Sequence, residues 1–104
     1  MLERQIENHL VKQVKELGGE VRKVQWTGRV GAPDRLVMLP LGPRSGRYSS
    51  VRTIWVELKN PETVKTFPAN AHERQQAREH ERMRKMGQVV VVVGTIEQVE
   101  ELLS

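Results

Sequence analysis

Five consecutive valines, Val89 to Val93, most limit what this chain can fold into. A strand with one wet face alternates apolar and polar residues. An unbroken apolar run needs cover on both faces, as in the interior of a sheet. The strand is expected over Gln88 to Val93 (QVVVVV). Upstream, the stretch from Asn70 or Ala71 to Met86 reads as a helix, capped by Asn70 and closed by Gly87. Before it, Thr53 to Lys59 (TIWVELK) is strongly β-favouring in composition. Strand, long helix and strand make a right-handed crossover if the two strands are parallel.

The N-terminal half supplies the rest of the domain. Leu2, Ile6, Leu10, Val14 and Leu17 recur at three- and four-residue spacing, the stripe of an amphipathic helix that Gly18-Gly19 ends. Glu20 to Trp26 follows as a first strand with Val21, Val24 and Trp26 as inward positions. TGRVGAP is a loop, and Asp34 to Leu41 (DRLVMLPL) a second strand. PRSGRYSSVR, Pro43 to Arg52, is a polar, basic hairpin connection, and Asn60 to Ala69 a second irregular segment. Thr95 caps a short last helix with Ile96, Val99, Leu102 and Leu103 on its apolar side. The expected order is αβββαβα in one α/β domain, a small mixed sheet flanked by helices.

Composition excludes several classes. With 104 residues, 38% hydrophobic and 29% charged, the chain is neither a disordered tail nor a membrane protein. The N-terminus MLERQIENHL carries charges where a signal peptide needs an apolar stretch. There are no cysteines, which fits the cytoplasm and removes disulfides, thiolate zinc sites and a cysteine nucleophile. The net charge of +4 suits a polyanionic partner, although a small domain can carry such a charge for solubility alone.

The sharpest chemical feature is Gly31-Ala32-Pro33-Asp34, followed on the next strand by Glu57-Leu58-Lys59. Strand alternation sets Ile54, Val56 and Leu58 on one face and Trp55, Glu57 and Lys59 on the other. If strands two and three pair as a hairpin, Asp34 lies near Glu57. Two carboxylates at short range repel, and a hard divalent cation with oxygen ligands removes the repulsion. Such a cation polarises a phosphodiester and activates water, while a nearby lysine steadies the attacking water or the developing charge. An isolated E-x-K is more often a surface ion pair; the G-x-P-D before it and the apolar strand around it favour chemistry.

This arrangement resembles the PD-(D/E)xK nuclease superfamily, and within it the VRR-NUC branch of small stand-alone nucleases. The matching segments run in order along nearly the whole chain: IENHLVKQVKELGG, GRVGAPDRLVMLP, WVELKNP, and QQAREHERMRKMG leading into VVVVV. PRSGRYSSVR and ETVKTFPANAH depart from the short form of the family but leave the core motifs intact. The resemblance implies a restriction-endonuclease-like core with its metal site at one edge. It implies Mg²⁺ or Mn²⁺ held by Asp34, Glu57 and the backbone carbonyl of Leu58, with Lys59 beside the scissile phosphate. It further implies a first-helix glutamate, which maps to Glu7, and a glutamine early in the long helix.

The helical wheel puts Glu7 between Val11 and Val14 in the apolar arc, where Glu3 also falls; the motif match favours Glu7. Gln75 and Gln76 both qualify for the glutamine, and Gln76 shares a face with His80 and Met83. His80 there reads as a core histidine, and Trp55 as a packing residue with some capacity to stack on a base. Arg44, Arg47, Arg52 and Lys65 lie in the two irregular segments expected to flank the site. They are candidates for DNA phosphate contacts. The expectation is a metal-dependent deoxyribonuclease, and the resemblance implies that it acts on branched DNA such as junctions or flaps, as a homodimer. Its rival is a nucleic-acid-binding module that keeps the fold without turnover.

Overall fold

The computed structural model describes residues 1–104. Its elements in chain order are α1 (Glu3–Glu16), β1 (Glu20–Lys23), β2 (Arg35–Met38), β3 (Thr53–Leu58), α2 (Pro61–Thr66), α3 (Ala71–Lys85), β4 (Val90–Val93) and α4 (Ile96–Leu103). The strands form one sheet in the order β1-β2-β3-β4, antiparallel across the first two pairs and parallel between β3 and β4. This is the mixed α/β sheet expected, with the crossover where the valine run and TIWVELK require it.

The core lies on one face of the sheet. Ile6, Leu10 and Val14 of α1 are fully buried against Val37, Ile54, Val56 and Leu58, and α4 completes the layer with Val99, Leu102 and Leu103. The α1 stripe therefore holds in its middle, while Leu2 and Leu17 at its ends stay exposed. The opposite face of β3 is covered by α3. That helix starts where Asn70 accepts from the Glu73 N–H at 2.9 Å, and α4 starts where Thr95 accepts from the Gln98 N–H at 3.0 Å.

Four expectations are corrected. β4 is an edge strand, not an interior one: helices cover its two faces, and facial cover is what an unbroken apolar run reports. β1 is shorter than expected and mostly exposed, and only Val21 packs on the core. Val24 and Trp26 differ from Val21 in strand parity, so they turn to the other side. The segment after Lys59 is not wholly irregular, because Asn60 caps the short helix α2 through the N–H groups of Glu62 and Thr63, both at 2.9 Å, with Pro61 in its first turn. Finally, the Pro43–Arg52 connection joins the end of β2 to the start of β3, whereas Asp34 precedes β2 and Glu57 is the last but one residue of β3. The loop and these carboxylates therefore occupy opposite ends of the sheet.

Candidate functional site

β2 and β3 build the site by their register. Arg35 pairs with Val56. One step further out, the same register sets Asp34 opposite Glu57, and the next step sets Leu58 opposite Pro33. Asp34 is held in extended line by β1 as well, since its carbonyl accepts from the Val24 N–H at 2.9 Å. Pro33 has no N–H to give, so the Leu58 carbonyl faces a position with no backbone donor. Trp55, Glu57 and Lys59 share the α3 side of the strand, as alternation requires.

The α3 helix contributes three polar side chains to this face, and all three are buried: Glu73, Gln76 and His80. The Lys59 ammonium donates to Gln76 Oε1 at 2.9 Å and lies 3.1 Å from Glu73 Oε2, with the Phe67 ring 5.1 Å away. Gln76, not the exposed Gln75, is thus the glutamine at the site. The Glu73 carboxyl is held below its ordinary range first by the Ala69 N–H, against the pull of desolvation, and then by Lys59. His80 Nε2 sits 3.3 Å from Glu57 Oε1, while its Nδ1 is buried without a partner. Its ring stacks on Phe67 at 5.9 Å. His80 is a core histidine, as its position suggested, but one that fixes Glu57.

Both first-helix carboxylates lie on α1, on the core side of the sheet. Arg35 lies on the core face, in parity with Val37, and there it forms an ion pair with Glu7. The same guanidinium reaches Asp34 Oδ1 at 2.8 Å. Glu7 thus meets Arg35 rather than Glu57. Glu3, one helical turn earlier, is exposed, and its carboxyl is pushed up chiefly by desolvation. The charges of Lys59, Glu57, Arg35 and Asp34 all act on it, the two carboxylates raising it further.

No group of three or more histidine, aspartate or glutamate side chains is already gathered at metal-binding spacing. The donor chemistry nonetheless fits a hard divalent cation: the oxygens come from Asp34, Glu57 and the Leu58 carbonyl, and no sulfur or free imidazole competes. The Asp34 side chain is 60% exposed and is restrained through Arg35.

The candidate phosphate-binding residues separate. Lys65 is on α2, just beyond Lys59. Arg44, Arg47 and Arg52 are at the far end of the sheet. Arg44 donates to the carbonyls of Tyr48 and Val51, and Arg52 to those of Ser49, Val51 and Gly42, so both fasten the loop to itself. Arg47 lies over the Tyr48 ring at 5.5 Å. Sequence reasoning missed Glu73 and the role of His80. The signal was present in the spacing of Glu73, Gln76 and His80, three polar residues on the α3 face that also carries Met83.

Comparison with known proteins finds a curated relative and a similar solved structure. The chain is 38% identical over 90 residues to "Putative nuclease p44" of Acyrthosiphon pisum secondary endosymbiont phage 1, covering 86% of this chain and 80% of that protein. A solved structure described as "VRR_NUC domain" superposes with a TM-score of 0.70 at 37% identity, covering 96% of this chain and 91% of the other. No protein-family model matches the chain.

Proposed function

Because the chain belongs to the VRR_NUC family, we propose that it is a metal-dependent nuclease that hydrolyses DNA phosphodiester bonds at the Asp34–Glu57–Lys59 site. The observation that carries this reading is the register that sets Asp34 against Glu57 on the face bearing Lys59. Asp34, Glu57 and the Leu58 carbonyl are the proposed ligands of Mg²⁺ or Mn²⁺. Bound there, the cation supplies Lewis-acid polarisation of the phosphodiester and lowers the pKa of the attacking water.

The chain's own residues do the positioning. Lys59 holds the attacking water or a non-bridging phosphate oxygen by hydrogen bond and offsets the charge that develops in the transition state. Gln76 and Glu73 aim the ammonium, leaving one of its three N–H groups for the substrate. His80 fixes the Glu57 carboxylate. Arg35 restrains Asp34 and couples it to Glu7 across the sheet, which makes Glu7 a positioning residue in this scheme. Lys65 contacts backbone phosphate. Branched DNA is the proposed substrate and a homodimer the proposed active form, since one small domain offers little surface for reading a junction.

The test is cleavage of labelled single-stranded, duplex, flap and four-way-junction DNA with Mg²⁺, Mn²⁺ or EDTA. Cutting that requires a metal and favours the branched substrates supports the reading. No cutting of any of them in either metal removes it.

A further inference from the structure

Along the face of β3 that carries Glu57, two residues before it, lies Trp55. Its ring and that of Trp26 are 5.1 Å apart at 48°, and these are the only two tryptophans in the chain. Both indole N–H groups are already bonded inside the protein: Trp26 to the Pro33 carbonyl at 2.7 Å, and Trp55 to Gln88 Oε1 at 3.0 Å. The half-buried rings therefore offer neighbouring molecules π surface rather than donors. With Met83 and Met86 they line an open groove of about 580 Å³.

The rim of this groove is cationic. Arg29 and Arg82 border it, and both reach toward Glu79, the acidic group among the lining residues. A hollow of about 260 Å³ continues past Arg29 and Arg82 to Arg78. Three arginines against one glutamate favour an anionic occupant over a second copy of a chain whose net charge is +4. Trp26 is also tied to the carbonyl immediately before Asp34, so the groove and the proposed scissile-bond site share a loop.

We propose that the Trp26–Trp55 groove binds an unpaired nucleobase of the substrate, next to the phosphodiester held at Glu57, with Arg29 and Arg82 on the flanking phosphates. This rests on the nuclease reading and extends it to what the enzyme recognises. Side chains two apart on one strand face are separated by about 6.7 Å, a reach comparable to one nucleotide step. Stacking on an aromatic surface is tolerant of base identity. It requires a base free of its partner, so the groove selects an unpaired nucleotide beside the cut and is indifferent to sequence.

The tryptophans report on this themselves. The protein is titrated in Ca²⁺, without Mg²⁺ or Mn²⁺, against a fluorescein-labelled oligothymidylate of about a dozen nucleotides and, separately, a blunt duplex. Anisotropy and tryptophan emission are followed together. The single strand is expected to quench emission with the same midpoint as its anisotropy rise, and the duplex to raise anisotropy with little quenching. Trp55→Leu is expected to weaken single-strand binding roughly tenfold and Trp55→Phe to restore most of it; thermal melting verifies that each is folded.

Single-strand binding or cleavage without quenching overturns the stacking site and leaves the nuclease reading intact. Emission that shifts with protein concentration in the absence of DNA also overturns it, by assigning the groove to a second copy. Absence of both binding and metal-dependent cutting removes the nuclease reading itself.

Discussion

Gly31→Ala is expected to damage both stability and turnover, and Gly28→Ala in the same loop separates the two causes. Both glycines have positive φ, +87° at Gly31 and +79° at Gly28, where an L side chain is strained. A methyl group at Gly28 meets nothing within 4 Å. At Gly31 it falls 3.1 Å from the Gln75 carbonyl oxygen and 3.1 Å from the Gln76 Cα, atoms of the α3 backbone that cannot step aside singly. Backbone strain alone costs about 1 kcal/mol at Gly28, and overpacking brings the total at Gly31 to about 3 kcal/mol. For a domain of this size these convert to losses of about 5 °C and about 15 °C in Tm.

The excess at Gly31 pushes α3 and the Pro33–Asp34 loop apart by a few tenths of an ångström. Gln76 holds Lys59 on one side of that seam and Asp34 sits on the other, so the displacement falls between two groups proposed to act together. Turnover is expected to drop by about tenfold in Gly31→Ala, with Gly28→Ala near wild type. Thermal denaturation followed by circular dichroism measures the first effect and single-turnover cleavage the second. Equal Tm losses in the two variants would refute the close packing of Gly31 on α3, and unchanged Tm in both would refute the strained backbone.

Other outcomes follow from the same geometry. Glu7→Gln is expected to slow turnover about tenfold, because Glu7 holds Arg35 and Arg35 restrains Asp34; an unchanged single-turnover rate would remove that link. Saturating Mn²⁺, at a hundredfold over its Kd, should add about 2.7 kcal/mol of stability, or at least about 10 °C in Tm, and Asp34→Asn should abolish the gain. A wild-type melting curve unmoved by metal would contradict the ligand assignment. Because the Glu73 carboxyl titrates below its ordinary value of 4.5, its contribution to stability is present above that pH and is lost as pH falls through the lowered folded value. Urea midpoints measured from neutral pH down through the acid range should therefore flatten in Glu73→Gln relative to wild type.

Much of the fold was legible because its patterns are local. The middle of the α1 stripe, the Asn70 and Thr95 caps and the alternation of TIWVELK each depend on residues a few positions apart, and each appears in the structure as read. Facial cover of the valine run was legible too, but not its place at the sheet edge, since an apolar run says what lies above and below a strand and nothing of what lies beside it. Helix α2 escaped because a cap and a proline mark it without any buried stripe. Asp34 opposite Glu57 could be anticipated from a hairpin. The same hairpin sends Arg44, Arg47 and Arg52 to the far end, a topological consequence that reading along the chain alone obscures. Glu3 and Glu7 could not be separated on a helical wheel, which places both in one arc. That Glu7 is the one to meet Arg35 depends on how α1 lies across the sheet.

The central claim, that Asp34, Glu57 and Lys59 form one metal-dependent hydrolytic site, meets its most direct test in single-turnover cleavage of a labelled flap DNA. Wild type, Glu57→Ala and Lys59→Met are compared in Mn²⁺ and in EDTA, each variant first shown to melt cooperatively. The account predicts cutting by wild type in Mn²⁺, none in EDTA, and a rate loss of at least about a hundredfold in both variants. Cutting in EDTA, or cutting by a folded Glu57→Ala protein at the wild-type rate, would contradict it.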